Sequence, residues 1–202
     1  MNHIDIFTTA LFQSTYTNFD SDKEKILKSV DEYLKENPTS VLKSNTQGYG
    51  FHSEENIHSC PDLQDLFNEI CGLCVSYAKL LDLDVEHKIP AITSSWANIA
   101  DNRMSSHAIH VHEGVISGSV YLEVPENSGQ IVFHNYSINP LWMGNYLAKN
   151  KNQYTGQSLK VDPKEGEIVM WPSYLPHSVE QNNHDDKRIS ISFNCIFFDK
   201  PE

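Results

Sequence analysis

The sequence predicts a mainly β protein, a barrel or jelly roll with helices packed on its outside. Beyond residue 86 the chain breaks into short β-rich segments separated by turn residues: KIPAITSSWANIA, HAIHVHEG, GSVYLEV, GQIVFHN, GEIVMWP, HSVEQ and RISISFNCIFF. No helical pattern interrupts them, which is the mark of antiparallel strands rather than of a parallel sheet. Ahead of residue 86 lie two stretches of helical spacing, and the whole chain shows no repeat, low-complexity tract or linker. Residues 1–202 are therefore read as one domain, with helical support at 20–82 and a β core over about 87–200.

Residues 1–16 read as a strand that joins a sheet edge. In DSDKEKILKSVDEYLKENPTS the apolar residues Ile26, Leu27, Val30, Tyr33 and Leu34 define an amphipathic helix, with Asp20 or Ser21 as its N-cap and Asn37-Pro38 as its stop. Residues 44–60, rich in Gly, Asn, Ser and His, read as a loop. A second helix, 61–82, opens with Pro61 in the favoured first position and repeats Leu63, Leu66, Phe67, Ile70, Cys74, Ala78 and Leu81. Cys71 and Cys74 form a C-x-x-C, but both sit on or beside that apolar face, and no second C-x-x-C completes a zinc site. A thiol so placed behaves as a small hydrophobe, so core packing is expected rather than redox chemistry. The segments 44–59 and 137–160 are long enough to form a lid or a substrate rim.

Composition narrows the function classes. The formal net charge is −12 with no run of lysines or arginines, which argues against nucleic acid or an anionic membrane as principal partner. No apolar run approaches the roughly 18 residues of a membrane span. MNHIDIFTTALFQ lacks a basic leader and a small-residue cleavage site, so a cytoplasmic location is expected. Ten histidines raise the prospect of metal chemistry without locating it.

Two stretches locate it. On a strand, alternation puts His110 and His112 on one side with Val111 opposite, and two imidazoles two residues apart make a bidentate metal clamp. His107 has odd offsets from both and belongs to the opposite face or to the turn. A partly solvated histidine pair on an outer face is the plainer alternative. Further on, GEIVMWP runs from Gly166 to Pro172, and His177 begins the next strand after a short corner. In RISISFN, Arg188, Ser190, Ser192 and Asn194 share one face, and Ile189, Ile191 and Phe193 share the other. The apolar face can pack under the helices. The polar face must then line something wet or anionic, and an arginine with a hydroxyl two residues on forms a fork for a carboxylate. An edge strand with that face in solvent is the competing reading.

Taken together and in order, FTTALFQ, SSWANIADN, HVHEGVISGSVYLEVP, GEIVMWPSYLPHSVEQN and KRISISFN are spread along most of the chain, from Phe7 to Asn194. With these pieces the sequence resembles the Fe(II)/2-oxoglutarate-dependent oxygenases, and among them a short-chain group of bacteria and phages. The resemblance implies a double-stranded β-helix (jelly-roll, cupin-like) barrel. It also implies an oxidoreductase, a dioxygenase that uses Fe(II), 2-oxoglutarate and O2 to hydroxylate a substrate with release of succinate and CO2. In such enzymes an H-x-D/E pair and a distal histidine bind iron, and an arginine ten or so residues later holds the far carboxylate of 2-oxoglutarate. Carried over, the metal-binding and catalytic residues are His110, His112 and His177, with Arg188 and Ser190 as the co-substrate clamp.

This chain reads H-V-H where the family has a carboxylate second, so the implied ligand set is three histidines. Glu113 falls on the wrong face of a regular strand, Glu123 is a strand away and Asp101 lies in an upstream loop. By the same resemblance Asn98 is a candidate to bond the metal-binding carboxylate of 2-oxoglutarate, and Tyr121 its distal carboxylate. Trp96 and Trp171 are candidate pocket walls. The expected partners are 2-oxoglutarate and an unidentified small-molecule or peptide substrate, without nucleic acid or membrane, and nothing marks an oligomer interface.

Two other readings stay open at this point. A three-histidine cupin-type dioxygenase would need no 2-oxoglutarate. GEIVMWPSYLPH fits much of the second cupin motif, with Tyr174 in place of its glycine, while Ile116 and Ser117 stand where the first motif wants a glutamate. A non-catalytic metal-binding jelly roll is the third.

Overall fold

The computed structural model describes residues 8–37, 46–47, 50–53, 56–100, 105–136, 152 and 155–200. Two antiparallel sheets face each other. The six-stranded sheet has the order β1 (Phe12–Thr15), β9 (Glu167–Pro172), β6 (Ile116–Glu123), β11 (Arg188–Asp199), β4 (Lys88–Ala100), β3 (Gly50–His52). The five-stranded sheet has the order β2 (Thr46–Gln47), β5 (Ser106–His110), β10 (His177–Val179), β7 (Ile131–His134), β8 (Ser158–Val161). Strands adjacent in space are mostly not adjacent in sequence, as a jelly roll requires. Every predicted β segment beyond residue 86 is a strand, and β1 lies at a sheet edge.

Helix α1 (Phe19–Glu36) and helix α2 (Gln64–Leu80) cover the outer face of the six-stranded sheet. Alternation along the strands decides which side chains meet them. On β11, Ile189, Ile191, Phe193 and Cys195 join Leu66, Ile70, Cys74 and Tyr77 in one core, and on β9 Ile168 and Met170 do the same. The opposite faces of β9 and β6 supply Val169, Trp171 and Tyr121, which meet Ile131 and Phe133 of the other sheet inside the barrel. Cys74 is fully buried with its sulfur 3.9 Å from that of Met170, and Cys71 is half-buried beside it. The C-x-x-C is thus helix packing. No described helix is long and apolar enough to cross a membrane.

Two local expectations need correction. The N-cap position of helix α1 is Asn18, which makes no side-chain capping bond, rather than Asp20 or Ser21. The buried ring of Phe19 lies against Gly166, where a Cβ would come within 2.8 Å of it, and Tyr16 N donates to Gly166 O; these contacts draw Phe19 into the first turn. Ser21 Oγ then donates back to Asn18 O, and Asn37 closes the far end through Tyr33 O as expected. The second correction is β2, β3 and β8, strands within stretches read as loop or rim. β8 (SLKV) alternates over only two apolar residues, one of them the exposed Leu159, a pattern too short to mark a strand. The rest of those proposed lids, 44–45, 48–49, 54–55 and most of 137–154, falls outside the described residues.

Gly118 on β6 sits where no side chain fits: a Cβ there would lie 2.4 Å from Phe193 Cζ, 2.8 Å from Val169 O and 2.9 Å from Met170 Cγ. Gly118→Ala is expected to destabilise the protein by about 1–3 kcal/mol, because backbone and packed core must both move. Urea unfolding of the metal-free protein measures this directly, and an unchanged midpoint would contradict the packing described.

Candidate metal centre

Three histidines converge in the barrel. His110 ends β5 directly opposite His177 on β10. His112 lies two residues past the end of β5, where its backbone N–H donates to Ser173 O at 3.0 Å. The expected clamp on a single strand is therefore a strand end plus the turn after it, yet the rings still meet. Ring centroids are 4.3 Å apart for His110 and His177, 4.9 Å for His110 and His112, and 5.0 Å for His112 and His177. One ligand nitrogen from each lies within 4.8 Å of the others.

Hydrogen bonds decide which nitrogen faces the cavity. His110 Nδ1 is 2.7 Å from Ala108 O, and His177 Nδ1 is 2.9 Å from Leu175 O. A carbonyl only accepts, so each Nδ1 carries the proton and each Nε2 keeps its lone pair for a metal. Burial holds His177 far below the usual histidine range, at about 3, helped by the neighbouring His110 and opposed by the Leu175 carbonyl. Burial also lowers His110. Both imidazoles are therefore neutral at neutral pH, the form that ligates.

That shift has a consequence for the metal-free protein. An unfolded histidine protonates near 6.5, whereas folded His177 resists protonation until about 3. The contribution is complete above pH 6.5 and is lost as pH falls through that window, because the unfolded chain then binds a proton that the folded one refuses. The slope from this group approaches about 1.4 kcal/mol per pH unit. Thermal unfolding at pH 7.5 and pH 5 should show a drop in Tm that is smaller in His177→Asn.

The His112 turn is held from below. Ser173 N donates to Val115 O, and Val115 N donates to Cys195 O. The Ser173 hydroxyl pairs with Ser117 Oγ at 2.8 Å, and Ser117 donates to Asn194 Oδ1 at 2.7 Å. Gly114, at φ +122°, lets the turn pass within 3.2 Å of Cys195 O as measured to an added Cβ. Nothing in the residue types around Ser173 signalled this latch, because it is made largely of backbone contacts.

At the other end of the cavity Arg188 begins β11 with only 4% of its surface exposed. Its Nη1 donates to Ser128 O at 2.7 Å and to Gly129 O at 3.2 Å, and among the described residues no carboxylate comes within ion-pair distance. In register beside it, Ser190 stands between Asn98 on β4 and Tyr121 on β6. Burial pushes the Tyr121 phenol up to about 12, against the pull of Arg188, so its O–H stays protonated as a donor. Asn98 is tied down: Nδ2 donates to Ser192 Oγ, and Trp96 Nε1 donates to Asn98 Oδ1.

The structure brings all seven predicted site residues, His110, His112, His177, Arg188, Ser190, Asn98 and Tyr121, to the wall of one cavity of about 300 Å³. Trp96 and Trp171 wall it as well. His107, expected on the opposite face or in a turn, lines the same cavity on β5. Between the pairs His110–His177 and His107–Val179, two residues of β5 (Ala108 and Ile109) oppose one of β10 (Ser178), and this bulge converts its odd offset into the same side. Glu113 is exposed outside the cavity and Glu123 opens onto a separate surface cleft, while Asp101 lies outside the described residues.

The family described as "Putative 2OG-Fe(II) oxygenase" matches residues 94–194, the stretch from β4 to β11 that builds this cavity. No curated protein matches the sequence. Among solved structures the chain is similar to a prolyl-4-hydroxylase of Pseudomonas putida, with TM-score 0.62 and 12% identity over 96% of this chain and 95% of that one. It is similar to SnoN, an alpha-ketoglutarate-dependent epimerase from nogalamycin biosynthesis (TM-score 0.69, 14% identity, 96% and 82% covered). A prolyl hydroxylase from Trichoplax adhaerens, solved with a hypoxia-inducible factor peptide, is a third (TM-score 0.58, 14% identity, 94% and 83% covered). At such identities the likeness is one of fold, the double-stranded β-helix.

Proposed function

The chain belongs to the 2OG-Fe(II) oxygenases, and on that premise we propose that His110, His112 and His177 hold the Fe(II) and that Arg188 holds the far carboxylate of 2-oxoglutarate. The protein is an oxidoreductase that uses Fe(II), 2-oxoglutarate and O2. Iron with 2-oxoglutarate and O2 supplies the oxidising chemistry, with succinate and CO2 as by-products. The residues present fit that group: two imidazoles with their protons fixed on Nδ1, a third beside them, and an anion-seeking fork in the same cavity.

The observation that carries the reading is Arg188. A buried guanidinium without a counter-ion is costly, and a bound carboxylate removes the cost. The carbonyls of Ser128 and Gly129 fix one edge of the guanidinium and leave the remaining donors for the ligand. Ser190 and Tyr121 add hydroxyl donors beside it. Asn98, already fixed by Ser192 and Trp96, orients the wall near the other carboxylate. Trp96 and Trp171 wall the space beside these groups, and Phe133 packs behind them against Trp171 and His177.

The reaction we assign is hydroxylation. The substrate in this reading is a small molecule or a peptide, since like-folded proteins have been solved with a hypoxia-inducible factor peptide and with nogalamycin RO. The charge of −12 speaks against nucleic acid. We read residues 1–202 as one such domain, supported by the core that both helices share with the six-stranded sheet. A cytoplasmic location is part of the proposal, and the four free thiols support it.

The test is anaerobic addition of Fe(II) and 2-oxoglutarate to metal-free protein. A visible charge-transfer band that is absent in His112→Ala, with succinate formed on exposure to oxygen, is the expected result. Iron binding without a band would defeat the clamp assignment and bring the three-histidine dioxygenase forward.

A further inference from the structure

We propose that Ser119 binds the co-substrate as well: its hydroxyl ends a chain of hydrogen bonds across three strands and donates to the 2-oxo-acid end of 2-oxoglutarate. This deepens the iron and 2-oxoglutarate reading above and rests on it. The chain begins at Trp96 on β4, whose indole N–H can only donate and so fixes Oδ1 of Asn98 toward it, at 3.1 Å. The amide nitrogen then faces the other way, and Nδ2 donates to Ser192 Oγ on β11 at 2.8 Å. Ser192 Oγ in turn lies 2.7 Å from Ser119 Oγ on β6, where the two strands pair these residues directly. All four side chains line the cavity. Two hydroxyls that share one contact use only one of their two protons for it. Among the described residues neither hydroxyl has another acceptor, so one proton is left over. A hydroxyl that accepts a bond becomes a better donor, so the chain runs from Asn98 through Ser192 and leaves that proton on Ser119.

Strand register says which part of the ligand it meets. From the Arg188 end, β11 sets Ser190 beside Tyr121, then Ser192 beside Ser119, then Asn194 beside Ser117. Ser117 in turn holds the Ser173 hydroxyl under the His112 turn. Ser119 thus stands between the guanidinium and the histidines, roughly 7 Å along the strand from the Ser190 and Tyr121 hydroxyls that flank Arg188. A dicarboxylate gripped at Arg188 presents its other end on that side. A 2-oxo acid offers only acceptors there, two carboxylate oxygens and a ketone, and a spare O–H is the complementary group.

The test titrates 2-oxoglutarate into the anaerobic Fe(II) protein, full chain, and follows the visible band, with iron content measured separately. Ser119→Ala is expected to weaken 2-oxoglutarate roughly tenfold and to leave Fe(II) binding unchanged, since a hydrogen bond to a charged group is lost and the histidines are untouched. The band should also move to shorter wavelength, because a donor on the 2-oxo acid lowers the ligand orbital that receives the electron. Ser119→Thr keeps the hydroxyl and should restore both readouts. Ser192→Ala should cost less than Ser119→Ala, since the terminal hydroxyl stays. The Ser119→Ala factor should persist in an Arg188→Ala background, because donors at opposite ends of a ligand act independently. Wild-type affinity and band position in Ser119→Ala would overturn the proposal and leave the site reading intact. A larger loss in Ser192→Ala would overturn the direction of the chain, and a factor that disappears in the Arg188→Ala background would overturn the placement at the 2-oxo-acid end. Should Ser119→Ala fail to fold, Ser119→Cys, close in shape and a weak donor, takes its place with the same expected direction. A wild-type protein that forms no band would take down the site reading and this inference with it.

Discussion

Arg188→Ala is expected to weaken 2-oxoglutarate binding by on the order of a hundredfold or more while leaving Fe(II) binding nearly unchanged. Truncating one partner of a buried, hydrogen-bonded charge pair costs about 2–5 kcal/mol, and each 1.4 kcal/mol is tenfold in affinity. The effect is specific because Arg188 lies at the head of β11 on the shelf of Ser128 and Gly129, whereas the three histidines are gathered from β5, its following turn and β10. Arg188→Lys should recover only part of the loss, since a point charge cannot reproduce a planar fork already held along one edge. Stability should change less than affinity. The variant removes a desolvated charge, which stabilises, and leaves the Ser128 carbonyl short of a donor, which does the reverse. Titration of 2-oxoglutarate into the anaerobic Fe(II) protein, with iron content measured separately, separates the two bindings. Near wild-type affinity in Arg188→Ala would dispose of the clamp.

His177→Ala should abolish useful metal binding. Groups that only orient a metal ligand are worth about 10–100-fold in affinity, so a ligand itself should cost more than that. His177 is the most buried of the three, with 2% of its surface exposed, and it packs at 4.3 Å from His110 and 4.8 Å from Trp171. Water is poorly placed to substitute for the lost nitrogen in such a site. Loss of the ring also leaves a space beside Trp171, so some stability is lost as well. Anaerobic Fe(II) titration, repeated with Co(II) for its optical spectrum, measures the affinity. A His177→Ala protein that binds either metal like the wild type would move the metal site elsewhere.

How much of this was legible in the sequence differs from residue to residue. The two faces of β11 were readable because alternation in a regular strand is a local property: Arg188, Ser190, Ser192 and Asn194 line the cavity and Ile189, Ile191 and Phe193 meet the helices. The amphipathic spacing of Ile26, Val30 and Tyr33, and of Leu66, Ile70 and Cys74, was readable for the same reason. The grouping of His110, His112 and His177 followed from the family resemblance, since a spacing of 65 residues between His112 and His177 carries no local signal.

His107 shows the limit of such reading. Counting by twos placed it off the His110 face, and one extra residue in β5 reversed the answer. A bulge is imposed by the partner strand's register, so the partner must be known before the bulge can be seen. Ser173 was overlooked for a related reason, because its role rests on backbone bonds to His112 and Val115 across a turn. The start of α1 after Asn18 goes with the burial of Phe19 against Gly166, a contact between residues 147 positions apart.

By itself, then, the sequence determined what periodicity along one element sets: the helices, the strands of the β core other than β8, their buried faces and the residue types available for chemistry. Only the tertiary structure decided which strand ends meet, which imidazole nitrogen keeps its lone pair, what holds the guanidinium of Arg188 and which histidines share the cavity. Those properties depend on strand register and on long-range hydrogen bonds, and both arise between segments that hold no information about each other until they pair.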